Sequence, residues 1–230
     1  MYLIFDTETT GLPKRWDAPL SDLDNWPRCV QLAWQLHDEM GELLDQQDYL
    51  IKPEGYTIPY DSEVIHGIST ELAEQRGEPL DVVLDHFREA LAEAKFIVGQ
   101  NVGFDMNIMG AELLRQGLPN EMESLPVLDT CTEETALLCK IPGGRGGKFK
   151  LPTLSELHAF LFEESFVEAH NATADVEATT RCFFELIRRG EFSASQLKSD
   201  PDYPANFTTA HPEPIAPVSY THLTLPTTPN

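Results

Sequence analysis

The pattern of apolar and polar residues divides the chain into a strand-rich start and a longer region in which helices and strands alternate. Near the start, apolar runs predict three strands, and the short link between the second and third predicts an antiparallel hairpin. Further along, apolar residues recur with a helical period or form short runs typical of buried strands. The predicted strands are 2–6, 29–37, 43–52, 95–100 and 126–130, and the predicted helices are 79–94, 104–116, 153–162 and 172–189.

This order of elements indicates an α/β fold with a mixed central sheet flanked by helices. The length of 230 residues suits one domain with a sizeable core. Prolines recur after Asp200 with little periodicity, which predicts a domain over residues 1–199 and a Pro-rich linker or disordered tail over residues 200–230. The last residues, from Val218, resemble translated adapter sequence rather than native protein, so we expect the native chain to continue past Pro217.

The charge balance excludes a protein that holds nucleic acid by bulk positive charge. The chain has 38 acidic and 16 basic residues, for a net charge of −22, so contact with a phosphate backbone must be local. The four cysteines lack paired metal-binding spacing, which predicts reduced thiols. No stretch resembles a membrane span or a signal peptide, so we expect a cytoplasmic protein without a membrane partner.

Two carboxylates follow directly from the first predicted strand. Asp6 and Glu8 lie two residues apart, and such residues on a strand point to the same face. An isolated pair of this kind is usually a solvated turn. Here the pair ends an apolar strand and precedes Thr9-Thr10-Gly11, which favours a metal site.

Further acidic residues come from distant parts of the sequence. Asp105 is predicted at the start of a helix, where an Asp is also a common cap, and Asp175 follows His170 by five residues. Four converging carboxylates would repel one another unless cations neutralise them. Hard oxygen ligands select Mg²⁺ or Mn²⁺ over zinc.

These motifs, taken in order, resemble those of the DEDD superfamily of 3′ to 5′ exonucleases. Asp6 and Glu8 match its first motif, Asp105 its second, and His170 with Asp175 its third. The His, five positions before the last Asp, is typical of the DEDDh branch. Within that branch the chain is similar to proofreading domains of bacterial DNA polymerase III.

The resemblance implies a ribonuclease-H-like exonuclease fold and two Mg²⁺ or Mn²⁺ ions in one site. Asp6, Glu8 and Asp175 would hold one ion, and Asp6 with Asp105 would hold the other. His170 would be the general base, since an imidazole titrates near neutral pH. The implied reaction is hydrolysis of the last phosphodiester at a single-stranded or frayed DNA 3′ end, with release of nucleoside 5′-monophosphates. A DNA polymerase III catalytic chain, fused or in complex, is the implied partner.

Other residues are expected to contact the terminal nucleotide. Each also has an ordinary structural interpretation, such as turn formation for the threonine or core packing for the phenylalanine. A glycine-rich basic loop over residues 143–150 is a further candidate for guiding the strand, against the alternative of a solvated loop. The predicted substrate-binding residues are Thr7, Leu12, His66, Asn101 and Phe104.

Two other functions stay open at this stage. An RNA 3′ exonuclease of the same branch would carry the same motifs, because the sequence separates DNA from RNA poorly. A catalytically silent module that binds a polymerase is the alternative from another class, and the presence of all five catalytic side chains argues against it.

Overall fold

The computed structural model describes residues 1–164 and 171–217. The strands in chain order are β1 (Tyr2–Thr9), β2 (Cys29–His37), β3 (Leu43–Leu50), β4 (Phe96–Gly99) and β5 (Val127–Asp129). They form one mixed sheet in the order β3-β2-β1-β4-β5. The β1–β2 and β2–β3 pairs are antiparallel, and the β1–β4 and β4–β5 pairs are parallel. The predicted α/β fold, mixed sheet and hairpin are confirmed.

Helices cover both faces of this sheet. In chain order they are α1 (Tyr60–His66), α2 (Thr70–Arg76), α3 (Leu80–Glu93), α4 (Gly103–Arg115), α5 (Glu133–Cys139), α6 (Leu154–Phe162), α7 (Ala172–Arg188) and α8 (Tyr203–Ala210). Short 3-10 turns lie at Glu121–Ser124 and Arg145–Gly147. The predicted long helices are present with shifts of one residue at their ends.

The alternation of side chains along β1 separates two cores. Leu3 and Phe5 pack on one face with residues of α3 and α4. Tyr2 and Ile4 pack on the other face with residues of α6, α7 and α8. This alternation assigns every later residue of β1 to one face or the other, and it therefore determines which helix each polar residue meets.

Helices α1, α2 and α5 were not predicted from the sequence. Each has seven residues, too short for an apolar period to stand out. In α1 the usual pattern is inverted, because Ser62 and His66 are buried whereas Tyr60, Val64 and Ile65 are largely exposed. An exposed apolar surface on α1 therefore replaces the buried stripe on which helix prediction depends.

The Pro-rich segment differs from the predicted linker over its described part. Residues 203–210 form α8, with Pro204 in the first turn, where a missing N–H costs nothing. Phe207 is fully buried and stacks on Phe184 of α7, with ring centroids 5.7 Å apart. The burial of one aromatic ring thus fixes a segment that its composition assigns to a linker. Residues 218–230 lie outside the described residues.

All four thiols are free, as expected, with Cys29 and Cys182 buried. Among the described residues, no helix combines the length and the apolar character needed to cross a bilayer.

Candidate active site

Three carboxylates converge beyond the C-terminal end of β4, on the α7 side of the sheet. Asp6 and Glu8 continue the face of Tyr2 and Ile4, because side chains of a strand alternate. Helix α7 packs on that face and brings Asp175 to them. Single carboxylate oxygens of Asp6, Glu8 and Asp175 all lie within 4.8 Å of one another. The sequence predicted this convergence, and the sheet geometry explains it.

The first turn of α7 is fixed by two side chains. The Asn171 side chain accepts hydrogen bonds from the N–H groups of Thr173 and Ala174, 3.1 and 3.3 Å away. The Gln31 side chain on β2 accepts a hydrogen bond from the Ala172 N–H, at 3.3 Å. Gln31 is almost completely buried opposite Glu8 in the sheet. It anchors the helix that carries Asp175, and a polar residue within a wholly buried strand was the sequence feature that could have revealed it.

The electrostatics of these carboxylates fit a divalent cation. Burial, followed by the charges of Asp105, Asp175 and Glu8, raises the pKa of Asp6 well above its usual range. Burial, followed by the charge of Asp175, raises the pKa of Glu8 to about 8. Among the described residues, no Lys, Arg or His forms an ion pair with Asp6 or Glu8. An all-oxygen donor set that repels itself suits Mg²⁺ or Mn²⁺.

Asp105 approaches β1 from the opposite face. It lies in the first turn of α4, which packs against Leu3 and Phe5, and on that face it meets Thr7. The Thr7 N–H and hydroxyl both donate to Asp105 Oδ1, at 3.0 and 2.6 Å. The structure thus places Asp105 beside the three converging carboxylates without including it in their group, and its assignment as a metal ligand stays a prediction.

Burial raises the pKa of Asp105 to about 7, while the two Thr7 donors oppose this rise. Thr7 was predicted to offer a backbone donor to the nucleotide. The structure differs, because Asp105 uses both the N–H and the hydroxyl of Thr7. Thr7 is therefore a positioning residue for Asp105.

The turn between β4 and α4 is held by Asp129, at the end of the neighbouring strand β5. Its two carboxylate oxygens accept hydrogen bonds from the N–H groups of Asn101 and Val102, at 2.8 and 3.1 Å. Asn101 adopts a left-handed conformation with φ of 57°, and its side chain is exposed. Gly99 permits this turn, since a Cβ there would meet the Val102 Cβ at 2.6 Å. Asp129 thus positions the helix that carries Asp105.

The remaining predicted substrate residues lie around this edge of the sheet. Leu12 is 73% exposed, and Phe104 is half-buried next to Asp105. His66 is buried, its Nδ1 accepts a hydrogen bond from the Ile68 N–H at 3.1 Å, and burial lowers its pKa. Their roles in binding stay predictions.

His170 lies outside the described residues, so its role as general base stays a prediction from the sequence. The basic loop at 143–150 is described, and two of its cations are paired. Lys148 forms an ion pair with Glu133 at 2.6 Å, and Lys150 forms one with Glu156 at 2.7 Å. These internal partners compete with any phosphate for the two lysines.

Known proteins with similar sequences are replicative polymerases. The chain is 29% identical over 191 residues to a DNA polymerase III of the PolC type from Pediococcus pentosaceus, a match that covers 83% of this chain and 12% of the polymerase. It is 30% identical over 187 residues to the PolC-type polymerase of Lactococcus lactis, covering 81% of this chain and 10% of that protein. The chain thus spans about a tenth of the length of these relatives.

Solved structures with a similar fold are nucleases. E. coli Exonuclease I in complex with a dT13 oligonucleotide aligns with a TM-score of 0.64 and 20% identity, over 86% of this chain and 45% of that one. Exonuclease X in complex with 5′ overhanging duplex DNA aligns with a TM-score of 0.55 and 19% identity, over 89% and 99% of the two chains. These similarities establish the fold. A family model described as Exonuclease matches residues 3–183, and the chain therefore belongs to this Exonuclease family, as its motifs predicted.

Proposed function

We propose that the protein is a metal-dependent 3′ to 5′ DNA exonuclease that releases nucleoside 5′-monophosphates and serves in replicative proofreading. The observation that carries this proposal is the convergence of Asp6, Glu8 and Asp175, whose carboxylate oxygens lie within 4.8 Å of one another. A family of exonucleases with this all-oxygen donor set needs no covalent nucleophile.

The residues of the chain divide the work by position. Asp6, Glu8 and Asp175 would hold the cations, with Asp105 completing the set from the other face of β1. Bound Mg²⁺ or Mn²⁺ would supply an acidified water and charge neutralisation at the phosphodiester. His170 would take the proton of the attacking water, and Thr7 keeps the Asp105 carboxylate in place through its two hydrogen bonds.

The direction of digestion and the choice of DNA rest on related proteins and on charge. The similar polymerases belong to DNA polymerase III, and Exonuclease I binds DNA oligonucleotides in its solved structure. A net charge of −22 predicts weak binding of DNA by this chain alone. A polymerase III catalytic chain, fused or in complex, would raise the local concentration of the primer end, and we expect this to occur in the cytoplasm.

The decisive experiment is digestion of single-stranded DNA labelled at its 5′ end. We expect a ladder that shortens from the 3′ end with Mg²⁺ or Mn²⁺, nucleoside 5′-monophosphates as products, and no digestion in EDTA. The matched RNA strand should be digested more slowly. A preference for RNA would replace the proposal by the RNA exonuclease, and lack of digestion of either strand would favour the silent binding module.

Isosteric variants connect this activity to the site. Asp6→Asn, Glu8→Gln and Asp175→Asn should each lower the rate roughly a thousand-fold, because metal charge stabilisation supplies several kcal/mol. Glu93→Gln, at an exposed position of α3, is the matched control and should keep full activity. Full digestion by any two of the three site variants would contradict the proposal.

His170→Ala tests the general base. We expect a hundred- to ten-thousand-fold loss of rate, roughly the contribution of a positioned base, with cation binding retained. A wild-type rate that stays constant across mildly acidic pH, with chemistry limiting, would argue against His170 in this role.

A further inference from the structure

The loop between β1 and β2, residues 12–28, carries an exposed tryptophan on a firmly held backbone. The Lys14 N–H donates to the Asn25 carbonyl, and the Asn25 side chain exchanges two hydrogen bonds with the backbone of Arg15. The Arg115 guanidinium donates to the carbonyls of Leu23 and Trp26, both at 2.7 Å. The loop therefore presents its side chains in a defined arrangement.

Trp16 differs from the other tryptophans of the chain. Trp26 and Trp34 are 3% and 1% exposed, and both donate their indole N–H groups to oxygen acceptors. Trp16 is 61% exposed, and its ring lies over that of Phe104, with centroids 5.8 Å apart and planes at 52°. Because Phe104 directly precedes Asp105, this aromatic pair borders the carboxylate site.

Two cations accompany this ring. Lys14 and Arg15 are exposed, and neither forms an ion pair within the part of the chain that the structure describes. In a chain with net charge −22, adjacent cations without an acidic partner are unusual. Lys148 and Lys150, in contrast, are neutralised by Glu133 and Glu156.

We infer that Lys14, Arg15 and Trp16, together with Phe104, form a platform that binds the nucleotides upstream of the scissile phosphate in single-stranded DNA. A base would stack on the exposed indole, and the two cations would contact backbone phosphates. Stacking accepts every base, because each has a π-face, so the platform would bind DNA without sequence preference. This inference rests on the proposed exonuclease function and identifies how an acidic protein grips its substrate.

Binding without cleavage tests the platform independently of activity. In EDTA, Trp16 is the indole that acrylamide can quench, because the other two are buried. A short oligothymidylate should protect the wild-type protein from quenching. Trp16→Ala should weaken binding of the same oligonucleotide about 5- to 150-fold, as measured by anisotropy, and Trp16→Tyr should restore most of the affinity. Unchanged quenching and unchanged affinity would overturn the platform.

The cations have their own measurement. Lys14→Gln/Arg15→Gln should reduce the slope of log affinity against log salt by about 1.4, since each phosphate contact to a single strand contributes about 0.7. The matched control, Lys95→Gln/Lys198→Gln, removes two charges near Phe96 at the opposite end of β4. An equal change of slope in both variants would assign the effect to net charge and refute phosphate contact by Lys14 and Arg15.

Hydrolysis then separates the platform from the catalytic site. The p-nitrophenyl ester of thymidine 5′-monophosphate is too small to span both. Trp16→Ala should hydrolyse this ester at the wild-type rate and raise the KM for oligonucleotides, whereas Leu44→Ala, an exposed apolar control at the far end of the sheet, should change neither. If the wild-type protein hydrolyses neither substrate, the exonuclease proposal fails, while the EDTA binding data still decide the platform. An unchanged oligonucleotide KM for Trp16→Ala would refute it.

Discussion

The chain contains two buried acidic regions that are treated in opposite ways. Glu112 on α4 is completely buried, and its carboxylate meets Arg28 at 2.9 Å, Arg115 at 3.3 Å and the Cys29 N–H at 2.9 Å. The site carboxylates Asp6 and Glu8 meet other carboxylates instead, and no basic side chain of the described chain forms an ion pair with them.

This difference shows what the fold can do and where it does not do it. A buried carboxylate is stable when paired, as Glu112 is, and costly when surrounded by like charge. The chain had the means to neutralise Asp6 and Glu8 with arginine and leaves them to repel. The repulsion is the observation that most directly demands a cation from outside the chain.

The largest expected effect comes from breaking the paired region. Glu112→Gln keeps the shape of the side chain and an acceptor for the Cys29 N–H, but it leaves Arg28 and Arg115 without their counter-charge. Loss of one partner of a buried pair lowers the free energy of unfolding by about 3–5 kcal/mol. Urea denaturation in EDTA measures this value.

Glu8→Gln is the matched variant in the repulsive region. The same chemical change should raise the free energy of unfolding in EDTA, because it removes a charge from a like-charged cluster. If both variants destabilise the metal-free protein equally, the contrast between the two regions is wrong.

The pH dependence of the metal-free protein sharpens the contrast. The pKa of Glu8 rises on folding from 4.5 to about 8, so the folded state favours the protonated form. The contribution of Glu8 to stability is therefore complete below pH 4.5 and is lost as pH rises through about 8. The loss should be on the order of 3 kcal/mol, judged from the size of the shift.

The measurement is the difference in unfolding free energy between wild type and Glu8→Gln, because other carboxyls contribute slopes of their own. Burial and the charge of Asp175 raise the pKa of Glu8 only in the folded state. We expect the variant to gain on the wild type steadily between mildly acidic and mildly basic pH. A constant difference across this range would contradict the raised pKa.

Addition of the cation should reverse the repulsion. Mg²⁺ or Mn²⁺ at a hundred times its dissociation constant should stabilise the wild type by about 2.7 kcal/mol, because it binds only the folded state. Asp6→Asn should lose this gain, since Asp6 is central to the cluster, while Glu93→Gln should retain it. Thermal unfolding with and without EDTA provides the comparison, and equal stabilisation of both variants would place the cation elsewhere.

Local sequence patterns predicted the parts of the fold that depend on local periodicity. β2 was predicted to the residue, and α3, α4, α6 and α7 were found within one residue of their predicted ends. α1 was missed because its apolar residues face outward. α8 was missed because its prolines outweighed one buried ring, that of Phe207, in the composition.

The site was predictable where one strand and one motif carry it. Asp6 and Glu8 share a face by strand alternation, and the motif ending in Asp175 supplied their partner. The same alternation puts Thr7 on the opposite face, where it meets Asp105, a residue 98 positions away. Contacts of that kind depend on the packing of α4 against β1, which no local pattern contains.

The smallest effect tests this missed contact. Thr7→Val keeps the shape of the buried side chain and the backbone N–H bond to Asp105 but removes the 2.6 Å hydroxyl bond. A hydrogen bond to a charged group contributes about 1.5 kcal/mol at the lower end, so we expect roughly a tenfold loss of exonuclease rate. Burial raises the pKa of Asp105 to about 7 and the Thr7 donors hold it down, so loss of one donor should raise it further. The pH–rate profile of Thr7→Val should accordingly shift to higher pH, whereas Thr7→Ser, which retains the hydroxyl, should follow the wild type. A uniform loss of rate at every pH, or an equal loss in Thr7→Ser, would show that Thr7 matters through packing rather than through its bond to Asp105.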